Sequence, residues 1–140
     1  MKGKHLFFGF FGLLAVLSSA SIYLAATVKP ADKSMTSVTA PDNKYKAVRM
    51  TLSGEGPPPF CIDSIAVILG VYPDDFAERD KAYLVYSGPC AADRKAWPKI
   101  EWKSNADLVV TYAKESASVK SPVIKDLDVT KTVHVTFVAR

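Results

Sequence analysis

The chain has 140 residues, with 18 Lys and Arg against 14 Asp and Glu, a net charge of +4 and 49% apolar residues. That length holds one modest domain and no more. With Lys2 and Lys4 set apart at the start, 16 basic residues face 14 acidic ones, and the resulting +2 is scattered rather than striped. Such a distribution excludes a nucleic-acid-binding face, which needs clustered Lys and Arg.

The first segment decides the compartment. Lys2 and Lys4 precede Leu6–Val28, a run of 23 residues without a charge. A basic start, an apolar stretch and the small residues Ser18-Ser19-Ala20 fit a cleaved secretory signal. The run continues through Ile22–Val28, however, and 23 helical residues span roughly 34 Å, enough to cross a hydrocarbon core of about 30 Å. Residues 1–28 are therefore read as a signal anchor or signal peptide, meeting the membrane through residues 6–28. Lys2 and Lys4 on a short tail place that tail inside and the C-terminal domain outside. The expected location is the inner or cytoplasmic membrane as a single-pass protein, or the periplasm or exterior if the segment is cleaved.

Residues 29–41, rich in Lys, Ser, Thr, Ala and Pro and without an apolar period, read as a flexible tether. Residues 42–140 then form one extracytoplasmic β-domain. Period-2 patterns dominate it. In Tyr45–Leu52, Val48, Met50 and Leu52 share a face opposite Arg49 and Thr51. Ile62–Leu69 is continuously apolar, as in a central strand buried on both sides. Tyr72–Asp80 leaves room for one helical turn capped by Asp74 or Asp75. Ala82–Tyr86 is a short strand stopped by Ser87-Gly88-Pro89. Lys99–Trp102 and Leu108–Ala113 flank a turn and form a hairpin. Ser116–Leu127 leaves room for one more strand after Pro122. Val129–Val138 alternates, with Val129, Val133, Val135 and Phe137 on one face and Thr130, Thr132, His134 and Thr136 on a solvated one. The fold class is mainly β: a small antiparallel β-meander or sandwich of five to seven strands, preceded by the N-terminal helix.

Cys61 and Cys90 both lie in the exported domain, and in an oxidising compartment they pair. A loop of that length stabilises by roughly 3–4 kcal/mol in the chain-entropy model. A redox pair would favour a C-x-x-C spacing. Gly54–Phe60 is the most unusual stretch, since glycines free the backbone while Pro57-Pro58-Pro59 stiffens it ahead of Phe60. It reads as a docking loop, or as a connection whose prolines block edge pairing. Trp97 and Trp102, around Pro98 and Ile100, are core or rim residues, or part of a contact patch with Pro57, Pro58, Pro59 and Phe60.

No catalytic signature stands out. His134 is the domain's single histidine and has no partners in a zinc spacing. Ser64 and Ser87 lie outside any G-x-S-x-G frame. Asp74, Asp75, Glu78 and Asp80 form an acidic cluster, a solvated loop unless a hard cation uses it. Glu101 sits in a short alternating strand and reads as exposed. No cofactor and no metal are expected.

Pro41-Asp42-Asn43-Lys44-Tyr45-Lys46-Ala47-Val48 resembles the opening of a β-propeller-type blade, with Asn43 where that pattern has Gly. Trp102–Tyr112 resembles a later strand–turn–strand unit of the same style. In order and spacing the chain from Pro41 onward is similar to a bacterial family of short, singly anchored exported proteins of unknown function. The resemblance implies a fold and a location, not an activity. The expected function is a membrane-anchored, non-enzymatic domain that binds a protein or envelope component. The alternative is a small exported enzyme or ligand-binding module.

Overall fold

The structure is a computed structural model describing residues 29–114 and 122–140; the apolar run Leu6–Val28 lies outside the described residues. The strands are β1 (Asp32–Thr39), β2 (Tyr45–Gly54), β3 (Phe60–Leu69), β4 (Leu84–Pro89), β5 (Lys99–Trp102), β6 (Asp107–Tyr112), β7 (Val123–Ile124) and β8 (His134–Ala139). A short helix α1 (Phe76–Arg79) and a 3-10 turn (Lys81–Tyr83) join β3 to β4. β1-β2-β3-β4-β7 form one sheet and β5-β6-β8 a second. The chain is thus mainly β, and its first four strands are an antiparallel meander.

The middle of the larger sheet is buried on both faces because its central strands carry apolar residues at successive positions. On the inner face Tyr45, Ala47, Ile65, Val67 and Tyr86 pack against Leu108, Val110, Val133 and Val135 of the second sheet. Tyr86 stacks there with Phe137 and meets Tyr112 at a tilt, ring centroids 6.3 and 5.7 Å away. On the outer face Val48, Met50, Ala66 and Ile68 pack under Ala77 of α1, with Tyr72, Phe76 and Tyr83 around them. Ile65, Ala66, Val67 and Ile68 are all buried, as the uninterrupted run in β3 predicts. The turn between β1 and β2 places Asn43 at φ 60°, a conformation Asn tolerates better than most residues. Gly70 meets that turn so closely that a Cβ would lie 2.1 Å from the Asn43 carbonyl oxygen.

Three elements differ from the sequence reading. The segment expected to be a tether contains β1, paired along its whole length with β2 from Asp32↔Ser53 to Thr39↔Lys46. Its Ser and Thr residues form a strand because β2 offers a full ladder of backbone partners, not because they bury apolar surface. The Ser87-Gly88-Pro89 stop lies inside β4 rather than after it, and Lys81–Tyr83 is a 3-10 turn capped by the Asp80 carboxylate on the Ala82 amide. Finally, β8 begins at His134, not Val129, and it runs parallel to β6. The chain leaves the second sheet after β6, contributes β7 to the first, and returns at the end where β6 began. Such a crossover is what a parallel pair requires.

Asp128 explains the late start of β8. Its carboxylate accepts from the Thr132 and Val133 amides at 2.7 and 2.8 Å and from the Thr130 amide and hydroxyl at 3.0 and 2.5 Å. These bonds fold residues 128–133 into a tight turn with Lys131 at φ 58°, so the alternating pattern of Val129–Thr132 is never extended. Burial by itself would raise the Asp128 carboxyl, but the bonds from Thr130, Val133 and Thr132 outweigh it and hold the group below the ordinary carboxylate range. A depressed folded value stabilises fully above the unfolded value of about 4 and is lost as pH falls through the folded one. Asp128→Ala is expected to cost about 2–4 kcal/mol at neutral pH. It should also reduce the loss of stability on acidification, as urea titrations at neutral pH and near pH ~3 would show.

Candidate interaction site at the Asp32 end

The first sheet extends further than the second at the end where Asp32, Ser53, Cys61 and Pro89 lie. Beyond Ile65 its inner face carries Asp63, fully buried, opposite Thr51 on β2 and Gly88 on β4, with Arg49 one pair along β2, opposite Ile65. Arg49 Nε donates to Asp63 Oδ1 at 3.1 Å and Arg49 Nη2 to Asp63 Oδ2 at 3.2 Å. The Thr51 hydroxyl donates to Asp63 Oδ1 at 2.5 Å. Arg49 Nη2 also reaches the carbonyls of Arg94 and Trp97 at 2.8 and 2.5 Å. The guanidinium therefore ties the Cys90–Pro98 loop across the polar end of the sheet. Cys61 and Cys90 close the same loop from its other side, forming a disulfide with Cα atoms 5.4 Å apart. Buried Tyr86 adjoins this cluster; burial first, and the Asp63 charge second, push its hydroxyl up to about 12.

Two adjoining open grooves lie at this clamped end. One, of about 460 Å³, runs beside the edge strand β1 and is lined by Ser34, Thr36, Thr51, Ser53, Arg94 and Lys95 among others. The second, about 360 Å³, continues from it past Asp32 and Arg94 to Glu55, Pro59 and Phe60. Polar and charged residues line the first groove, with Arg94 and Lys95 exposed on the loop that Arg49 holds.

Pro57, Pro58 and Pro59, in the loop between β2 and β3, and Phe60, the first residue of β3, are all exposed at this end. Trp97 is half-buried in the clamped loop. Trp102 lies elsewhere: its Nε1 donates to the Val38 carbonyl at 2.9 Å. Val38 stands six residues along β1 from Asp32, roughly 20 Å at strand spacing. Trp102 and Phe60 therefore do not share a patch.

The other residues of interest are kept apart. His134 is exposed on β8 and Glu101 on β5, on either side of β6, and neither lines the grooves. Glu101 pairs with Lys103 at 2.5 Å, a bond that lowers its carboxyl. Ser64 and Ser87 hydrogen-bond each other at 3.2 Å. The acidic cluster is divided among separate partners, which explains why it does not converge on a cation. Asp74 binds Lys46, Asp75 binds Arg79 and Glu78 binds Lys33. Asp80 caps the 3-10 turn. Among the described residues no three His, Cys, Asp or Glu side chains are placed to share a metal ion.

Comparison with protein-family models, curated proteins and solved structures finds no match. Arg49, Asp63 and Arg94 escape the alternation rule, which puts Arg49 on an outward face. The available signal is Asp63 itself, an acid inside an otherwise apolar run that must find a cation if the run is buried.

Removing one partner of a buried pair strands the other charge, whereas removing both does not. Arg49→Leu alone is expected to cost about 3–5 kcal/mol, and the Arg49→Leu/Asp63→Leu double substitution clearly less than the sum of the single changes. Urea denaturation of the four proteins measures the coupling. Replacing both cysteines by Ser should lower stability by about 3–4 kcal/mol under oxidising conditions, with no further loss on adding reductant.

Proposed function

We propose that this chain is a membrane-anchored extracytoplasmic β-domain that acts as an interaction module, receiving an extended segment of a protein partner along β1. The supporting sequence feature is the uncharged run Leu6–Val28, and the Cys61–Cys90 disulfide suits an oxidising compartment. The observation that carries the reading is the edge of β1. Among the described residues β1 is the outermost strand of its sheet, and Trp102 meets its free side at Val38. Asp32–Thr36 is left beside the 460 Å³ groove, whose far wall is the clamped loop. An exposed strand edge offers a row of backbone donors and acceptors to an incoming strand, and a flanking groove selects its side chains.

A small polar molecule in the same groove is the second reading, favoured by Arg94 and Lys95 on its wall. The test places a photo-crosslinking amino acid at Thr36, and separately at exposed Thr136 on β8, in the tagged full-length protein within native membranes. A discrete protein adduct from position 36 and none from position 136 is the expected result. No protein adduct from position 36 overturns the strand-receiving role and leaves the groove to the small molecule.

A further inference from the structure

The outer face of the large sheet is only partly covered. α1 and its aromatic neighbours lie over Val48, Met50, Ala66 and Ile68. Toward Asp32 that cover ends. Leu52 and Ile62, directly paired across β2 and β3, are 39% and 42% exposed. Phe60, two positions from Ile62 and on the same face, is 44% exposed, and its ring lies over Gly54, where a Cβ would come within 2.4 Å of it. The exposed prolines 57–59 extend from the same corner. Among the described residues a row of apolar side chains therefore stands uncovered at one end of the sheet.

The path of the chain says what lies next to that end. β1 starts at Asp32, leaving only residues 29–31 between the domain and the apolar run that ends at Val28. From Val28 to Asp32 the chain can reach at most about 14 Å. Lys29 does not lead away: its Nζ donates to Glu55 Oε2 at 2.8 Å, in the β2–β3 loop. The exit of the apolar run and the Leu52–Phe60–Ile62 row thus share one corner.

We propose that this corner is a lipid-docking surface: Leu52, Phe60 and Ile62, with the proline loop, rest in the interfacial layer of the membrane that holds Leu6–Val28. The inference rests on the anchored reading given above. Interfacial docking of this kind draws on buried apolar area, supplemented by charge where charge is available. Here it is balanced. Lys29 and Lys33 are paired with Glu55 and Glu78, and exposed Arg94 and Lys95 stand against Asp32 and Asp93. Docking is accordingly apolar and insensitive to whether the lipid is zwitterionic or anionic. The opposite end of the sheet, where Val71 is 85% exposed beyond Leu69, stands away from the bilayer.

The test reconstitutes full-length protein into phosphatidylcholine vesicles, with and without phosphatidylglycerol, containing lipid brominated on the upper acyl chain. Three variants place a fluorescent reporter: Phe60→Trp, Ile62→Trp and Val71→Trp, each read against the unsubstituted protein. Bromolipid is expected to quench the added signal of the first two roughly twofold or more, with little effect on the third, because quenching needs insertion of several ångströms. The two lipid compositions should agree. Resistance to alkaline extraction is scored on the same vesicles. Retention without quenching at positions 60 and 62, or equal quenching at all three positions, overturns the docking alone. Release by alkali overturns the anchored reading and the docking with it. Quenching only with phosphatidylglycerol overturns the apolar mechanism.

Discussion

The buried pair between Arg49 and Asp63 is the constraint on which the Asp32 end depends. The second sheet is too short to cover this part of the first, so no apolar layer is available there. A fully buried carboxylate in such a place costs several kcal/mol unless its lone pairs are taken and its charge is met. Thr51 and the two guanidinium nitrogens do both. The remaining donor capacity of Arg49 goes to two carbonyls of the Cys90–Pro98 loop. One side chain thus neutralises the strand and fastens the loop that covers it. Lys could not substitute, since a single ammonium lacks the planar fork that reaches a carboxylate and two carbonyls together. Hydrophobic pairs of similar volume are often as stable as a buried ion pair, but here such a pair would leave the loop's carbonyls without donors. The pair therefore contributes definition to the groove wall more than net stability.

The second buried acid, Asp128, is handled without a cation. It accepts from the amides of Thr130, Thr132 and Val133 and the hydroxyl of Thr130, and these bonds outweigh the penalty of burial. The contrast follows from where each acid sits. Asp63 lies in mid-strand, where the neighbouring amides are committed to the sheet, so only side chains can reach it. Asp128 precedes a turn whose amides have no ladder partner, and the carboxylate takes the place of one. One acid needs a partner distant in sequence and the other makes its own local structure.

That difference also decides what was legible in the sequence. The β2–β3 and β5–β6 hairpins, the buried run of β3, the single turn of α1 and the disulfide are each present, but α1 lacks the expected cap: the Asp74 and Asp75 carboxylates pair with Lys46 and Arg79 instead. β1 was not legible. A strand of Asp, Lys, Ser and Thr with one half-buried Met has almost no period to read, and its conformation comes from β2. The start of β8 was misread because alternation continues through Val129–Thr132 while Asp128 withdraws their amides. Alternation sets Arg49 on the face opposite Val48, Met50 and Leu52, but it does not tell that this face is covered as well. The exposure of Pro57–Phe60 could be anticipated from composition; the groove could not, since it joins residues 32–36 to residues 94–95.

Placing β1 at Asp32 changes what the domain can do on the anchored reading. A disordered tether of residues 29–41 would let the domain wander over roughly 20 Å, the root-mean-square span of about 13 flexible residues. With only three residues outside the strand, and one of them paired to Glu55, that freedom is largely gone. A surface held at fixed height is useful only if its own shape is fixed. The Asp32 end lacks a second sheet to provide this, and it is here that the disulfide, the Arg49 fork and the prolines are concentrated. Stiffness at this end, rather than in the better-packed middle, is what a domain needs if it is to present a strand edge at a constant distance from a bilayer. The groove lies on the inner face and the apolar row on the outer face of the same corner, so a lipid contact on one side would leave β1 open on the other.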